Sequence, residues 1–232
     1  MGRPYLKIFE EDRELQIFLI VDSSRSMQLE NSAERRTKYA AAAETAALVT
    51  IAAELNACPI GSVVFDGAIH FSCQPSLGKE NTMQILNHLD RLPSASSPGS
   101  VLPNAITAAA KVLRKRTLVF LLSDFRSSGW EKPLINLANK NDVIAINLHD
   151  AFDEELPTLG TVTFQDAESG LKMSLPSSSL AFKKEWRNYN EMNQNRWKDF
   201  CIKHGIMPVL LDTKTEPVQV LNQIFSRKAK MR

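Results

Sequence analysis

Four short apolar runs punctuate the chain: residues 15–21 (LQIFLIV), 117–122 (TLVFLL), 143–148 (VIAINL) and 206–211 (IMPVLL). They are too continuous for strands with one wet face, and read as strands buried on both faces of a parallel sheet. Helical stretches lie between them. Residues 38–55 are Ala-rich behind Thr37, a suitable N-cap, and their small side chains suit close packing on a sheet. Residues 80–92 put Met83, Ile85, Leu86 and Leu89 on one side. Residues 103–114 and 133–140 each open on a proline, which fits a first helical turn. Residues 179–204 form a long, wet helix, and 217–227 a closing one. Alternating strands and helices predict an α/β doubly wound, mostly parallel sheet with helices on both faces, Rossmann-like in its layering.

One interruption breaks the parallel rule. Residues 62–65 and 68–72 flank Asp66 and Gly67, a strong hairpin signal. A hairpin makes its strands antiparallel, so one antiparallel strand is expected at the sheet edge. A second hairpin is expected from residues 161–165 and 171–174, turned by 166–170. It falls in an acidic stretch: between Asn141 and Gly170 there are seven acids and no Lys or Arg. Residues 182–232 carry eleven basic residues against five acids. Most of these charges are expected to be a solvated loop and a solvated helix face.

The 232 residues then read as one domain, with residues 1–13 as a lead-in and 150–176 as an acidic hairpin insertion. The net charge of +2 argues against a dedicated nucleic-acid binder, which carries a basic excess. At 44% apolar residues the chain is not of disordered composition. Cys58, Cys73 and Cys201 include no C-x-x-C pair, so neither a disulfide framework nor a Cys-based zinc site is expected. No apolar run approaches ~20 residues, and the first fifteen residues hold no apolar signal region. The expectation is a soluble, cytoplasmic protein with no direct membrane insertion.

Ligands of open α/β sheets bind beyond the carboxyl ends of the strands. Asp22, Asp124, Asp150 and Asp212 follow the four apolar runs. Asp150 and Asp212 read as helix-cap or turn residues. Asp22 belongs to Asp22-x-Ser24-x-Ser26, which turns one carboxylate and two hydroxyls toward a common point. Such hard oxygens suit Mg²⁺ or Mn²⁺ rather than Zn²⁺. They cannot complete an octahedron alone. Asp124 is placed to add a second carboxylate, and Ser100, just before a helix, a third hydroxyl.

Asp22-x-Ser24-x-Ser26 after an apolar strand, with Asp124 ending a later one, resembles the metal-ion-dependent adhesion site of von Willebrand factor type A domains. The chain is more similar still to the bacterial domain of unknown function 58 proteins, whose C-terminal part is such a domain. The similarity runs through residues 2–5 (GRPY) and 9–15 (FEEDREL), Leu122-Ser123-Asp124-Phe125, Glu155-Leu156-Pro157, Asp166-x-Glu168-Ser169-Gly170 and Asp212-Thr213. It covers essentially the whole chain. It implies a type A fold and a metal held by Asp22, Ser24, Ser26, Ser100 and Asp124, with a partner's acidic side chain completing the octahedron. Two positions depart from the family pattern. Ser100 stands where type A domains have Thr, and Arg25 where they commonly have a small residue. Arg25 either repels the metal or grips the partner's carboxylate. Relatives of this kind are typically encoded beside MoxR-type AAA ATPases, which implies an ATPase and a client protein as partners in chaperone-like assembly or maturation of complexes. Longer members have a region ahead of the GRPY stretch, so the chain is expected to be a short form or a fragment.

A competing reading is enzymatic. An aspartate after the first strand is also the nucleophile position of haloacid-dehalogenase-like phosphatases. Those need a second carboxylate two residues on, where this chain has Ser24. No catalytic residue is therefore assigned. A third reading keeps the type A fold with a vestigial metal site and partners bound elsewhere. No Gly-x-x-x-x-Gly-Lys-Ser/Thr loop, Gly-x-Ser-x-Gly elbow or His-Glu-x-x-His occurs. His149 and the three tryptophans read as structural.

Overall fold

The computed structural model describes residues 15–29, 36–91, 100–154, 161–165 and 172–230. The lead-in, the turn of the second hairpin at 166–170 and the 155–157 stretch lie outside them. The chain runs β1 (Gln16–Asp22), α1 (Arg25–Gln28), α2 (Lys38–Leu55), β2 (Ile60–Phe65), β3 (Ile69–Ser76), α3 (Lys79–Asp90), α4 (Leu102–Val112) and β4 (Thr117–Ser123). It continues with α5 (Glu131–Ala138), β5 (Asp142–His149), α6 (Ala151–Glu154), β6 (Thr161–Gln165), β7 (Lys172–Pro176), α7 (Leu180–Lys203), β8 (Met207–Asp212) and α8 (Pro217–Lys230).

Six strands form one sheet in the order β3-β2-β1-β4-β5-β8. All neighbours are parallel except β2 and β3. This is the mostly parallel sheet with one antiparallel edge strand that the sequence predicts. β6 and β7 pair antiparallel as a separate two-stranded ribbon.

The continuous apolar run of β1 is explained by its two faces. Ile17, Leu19 and Val21 point into one core with residues of α2, α3 and α8. Phe18 and Ile20 point into the other, with residues of α4, α5 and α7. Side chains alternate across a strand, so a strand covered on both sides must be apolar at every position. Thr37 caps α2 by accepting a hydrogen bond from the Ala40 amide (3.0 Å). Ala41, Ala42, Ala46 and Ala53 bring that helix against the sheet. Its Tyr39 hydroxyl donates to the Leu89 carbonyl (2.9 Å) and ties α2 to α3.

Three expectations need correction. The run at 206–211 is not buried on both faces: β8 is an edge strand, and its Leu210 is 37% exposed. α8 covers one side of it, while the long α7 buries chiefly Trp197 and Cys201. Met83 is 54% exposed; Ile85 and Leu89 alone of the four predicted residues are fully buried. The first hairpin forms, but its reversal does not draw on Gly67, which is not among the glycines at positive φ. Asp66 shapes that turn instead, its carboxylate accepting from the Ala68 amide (2.9 Å). The glycine that the hairpin does need is Gly61. A Cβ there would lie 2.7 Å from Pro75 N and 2.8 Å from the Cys73 oxygen, where the β2–β3 register shifts.

All three cysteines are free. Among the described residues, no helix is long and apolar enough to cross a membrane.

Candidate metal centre

β1 and β4 are neighbours in register, Val21 beside Leu122. Their carboxyl ends therefore deliver Asp22 and the Ser123-Asp124 pair to one place. Ser23 fixes the chain as it leaves β1: its amide and its hydroxyl both donate to the Phe65 carbonyl at the end of β2 (2.7 and 2.8 Å). The next residues curl into the single turn of α1, so that Ser24 Oγ and Ser26 Oγ come within 3.2 Å of each other. Both serines are buried.

Asp22 is 1% exposed. One carboxylate oxygen accepts from the Ser24 amide (2.9 Å), the other from the Ser123 hydroxyl (2.6 Å). Burial first, and the charge of Asp124 second, push its pKa up to about 7, against the opposing pull of the Ser123 and Ser24 hydrogen bonds. Two buried carboxylates face one another here, which favours the protonated form of Asp22.

The turn after β4 is strained. Phe125 has φ +54°, a region few non-glycine residues enter. Packing holds it there: its ring lies 5.2 Å from both Trp130 and Trp197. Its amide donates to Ser123 Oγ (3.1 Å), and the Arg126 amide to Asp124 Oδ1 (3.3 Å). Asp124 Oδ2 is buried and has no hydrogen bond. The Ser100 segment reaches the same end of the sheet through the Val101 amide, which donates to the Asp66 carbonyl (2.7 Å). Ser100 Oγ is likewise buried without a hydrogen bond, so it bonds none of the other predicted ligands. Arg25 opens α1 between the two serines and is exposed.

Asp22, Ser24, Ser26 and Asp124 thus gather at adjoining strand ends, with Ser100 on a neighbouring loop. The set is two carboxylates and three hydroxyls, all hard oxygens, and two of those atoms, Asp124 Oδ2 and Ser100 Oγ, make no hydrogen bond. Such a set fits Mg²⁺ or Mn²⁺. Among the described residues, no group of three or more His, Cys, Asp or Glu is arranged to hold a metal ion, so any ion here would depend on the serine hydroxyls.

The sequence reading missed Ser123, which holds Asp22, although it stands one residue before Asp124. It also missed Lys38, Arg126 and Asp153. Lys38 Nζ lies 2.7 Å from Asp153 Oδ2 and 4.0 Å from Asp124 Oδ2. Arg126 Nε is 3.6 Å from Asp124 Oδ2, and its guanidinium also pairs with Asp153. Burial works to raise the Asp153 carboxyl, but Lys38 and Arg126 hold it below the usual range. A lysine at the first position of an alanine-rich helix was the available signal. Asp150 caps α6, accepting from the Phe152 and Asp153 amides (3.0 and 3.2 Å). Asp212 accepts from the Lys214 amide (2.7 Å) and lies 3.6 Å from His149.

Residues 1–196 match the family described as protein of unknown function DUF58. The chain belongs to the DUF58 family. Its relatives include the uncharacterized protein Mb1516 of Mycobacterium bovis, 31% identical over 172 residues, which are 72% of this chain and 53% of the relative. The chain spans about half the length of the curated relatives of this kind. A shorter match joins it to the uncharacterized protein MAV169 of Mycobacterium avium, 39% identical over 71 residues, 30% of this chain and 42% of that one. Among solved structures, an aerotolerance-related membrane protein from Bacteroides fragilis superposes with a TM-score of 0.57 at 16% identity, covering 91% of this chain and 99% of that one. The SpRpn10 VWA domain is also similar, at a TM-score of 0.48, 14% identity and coverage of 90% and 94%. This DUF58 chain has a doubly wound, Rossmann-like α/β fold, with the strand order and single antiparallel edge described above.

Proposed function

We propose that this DUF58 chain is a metal-dependent protein-interaction module rather than an enzyme. Asp22, Ser24, Ser26, Ser100 and Asp124 would hold Mg²⁺ or Mn²⁺ at the strand ends. When bound, the ion offers an open coordination position to an acidic group of a partner. Arg25, exposed beside the two serines, is the residue suited to grip the same carboxylate. A MoxR-type AAA ATPase and its client are the partners this reading names, in chaperone-like assembly or maturation of complexes.

One observation carries the reading: two buried carboxylates meet at adjacent strand ends, where Ser100 Oγ and Asp124 Oδ2 make no hydrogen bond. Buried polar atoms in a folded protein are normally paired. A divalent ion would supply the close contacts that Lys38 and Arg126, at 4.0 and 3.6 Å from Asp124 Oδ2, do not make. The phosphatase alternative is disfavoured by the state of Asp22. Both of its oxygens already accept hydrogen bonds, it is buried, and no carboxylate stands at position 24.

Affinity capture from a native lysate tests the reading, with Mg²⁺, with chelator, and with Asp22→Ala as control. Recovery of an AAA ATPase in Mg²⁺ alone, lost in the variant, is the expected result. Equal recovery in chelator would favour a vestigial metal site with partners bound elsewhere. Turnover of a generic phosphoester, lost in Asp22→Ala, would overturn the non-enzymatic reading.

A further inference from the structure

Lys38 is 2% exposed, at the first position of α2. That is a poor place for a cation on two counts. The amino end of a helix carries positive dipole charge, and a buried ammonium is costly unless paired. The residues after it, Tyr39, Ala41 and Ala42, belong to the apolar core and give no packing reason for a charge. Its nitrogen faces two carboxylates, bonded to Asp153 at 2.7 Å and held off Asp124 Oδ2 at 4.0 Å. That Asp124 oxygen has no hydrogen bond, although Arg126 Nε approaches it from another side at 3.6 Å. One buried carboxylate oxygen therefore has two cations near it and is bonded by neither.

We propose that Lys38 is a resident cation that competes with the metal for Asp124, and that Asp153 is the seat which draws it aside. The proposal rests on the metal reading above and adds what sets the affinity of that site. Coulomb energy falls with distance and rises in a low-dielectric setting. Small displacements of the Lys38 ammonium between Asp153 and Asp124 therefore change how much of the Asp124 charge is left for a divalent ion. The position of the seat is itself set by contacts. Asp153 lies on the short α6, whose Phe152 carbonyl accepts from the Trp186 indole of α7 (2.9 Å), and Asp153 Oδ2 accepts from the Asp150 amide (3.1 Å). α6 and Asp153 lie at the start of the acidic 150–176 segment, so a partner that shifts α6 would shift the seat and tune the metal site from outside it.

The two members of the pair make opposite predictions. Lys38→Met removes the competitor and is expected to tighten Mn²⁺ binding at least ~10-fold. Asp153→Asn removes the seat, leaves both cations to Asp124, and is expected to weaken it ~3-fold or more. Both are read on the full chain by loss of the free Mn²⁺ electron paramagnetic resonance signal, with circular dichroism as the check on folding. General damage to the site would weaken binding in both variants, so opposite signs identify competition. Should Lys38→Met fail to fold, Lys38→Gln, which keeps a polar head without the charge, takes its place and is expected to tighten binding in the same direction. Mn²⁺ affinities within twofold of the unaltered chain in each folded variant would overturn the competition while leaving the metal reading intact. Binding in Lys38→Met but not in the unaltered chain would support it. Absence of Mn²⁺ binding in every form would remove the metal reading, and the competition with it.

Discussion

The two ends of the parallel strands bury polar groups in opposite ways. At the amino end two asparagines are closed on the backbone. Asn141 accepts from the Thr117 amide (3.1 Å) and donates to the Leu137 carbonyl (3.0 Å). Asn81 donates to the Ile60 and Ser76 carbonyls (2.7 and 3.1 Å). The charges there, such as Arg116 with Asp142, sit in solvent. At the carboxyl end, Asp22, Ser24, Ser26, Asp124 and Lys38 are all buried, with charge facing charge, and two oxygens, Asp124 Oδ2 and Ser100 Oγ, make no hydrogen bond. The amino end uses polar atoms to finish strands and helices. The carboxyl end keeps them in a state that a bound cation would improve.

The largest effect expected from this contrast is in pH. Asp22 has an ordinary value of 3.8 and is raised to about 7 in the folded chain. The folded state therefore binds the proton more tightly than the unfolded state. Its contribution to stability is fully present below the unfolded value and is lost as pH rises through the folded one. In chelator, denaturation at a series of pH values should show stability falling by up to about 4 kcal/mol between pH ~4 and ~7. Asp22→Asn should flatten that slope. An unchanged slope in the variant would mean that another group titrates.

Metal should act next in size and at the same end only. At ~100-fold over Kd the gain is roughly 2.7 kcal/mol. It should survive in Asn141→Ala and vanish in Asp22→Ala, measured as melting temperature with Mg²⁺ against chelator. A gain that persists without Asp22 would place the ion elsewhere. Asn141→Ala, in turn, strands the buried Thr117 amide and should cost about 1–3 kcal/mol. That loss should be equal with and without Mg²⁺; a difference would show that the two ends are coupled. Smallest of all, Arg116→Ala breaks an ion pair in open solvent and should leave the denaturation midpoint unchanged.

The sheet was legible because its signals are local. Thr37 and Ser179 cap their helices, and the buried-run rule found β1, β4 and β5. It misjudged β8, since an apolar run records what a strand can bury and not what finally covers it. Met83 failed for a similar reason: periodicity marks a face of α3, but only the width of the face that meets α2 and β2 decides which residues it covers. Four of the proposed ligands were legible because Asp22, Ser24 and Ser26 stand within five residues and Asp124 ends the adjoining strand. The Lys38–Asp153 pair was not. It joins residues 115 positions apart, and no local pattern announces such a contact. Ser123 was hidden by its context, since a serine closing an apolar run reads as a boundary rather than as a hydrogen-bond donor.

The outer strands carry a consequence for how copies of this protein behave together. Each holds a proline, Pro75 in β3 and Pro208 in β8, and β3 is also bulged against β2. A proline nitrogen has no hydrogen to offer a ladder, and a bulge bends the strand away from a flat template. Neither margin of the sheet then presents the regular row of donors and acceptors that invites edge-to-edge fusion into aggregates. Copies of this chain can therefore stand close together without their sheets joining strand to strand.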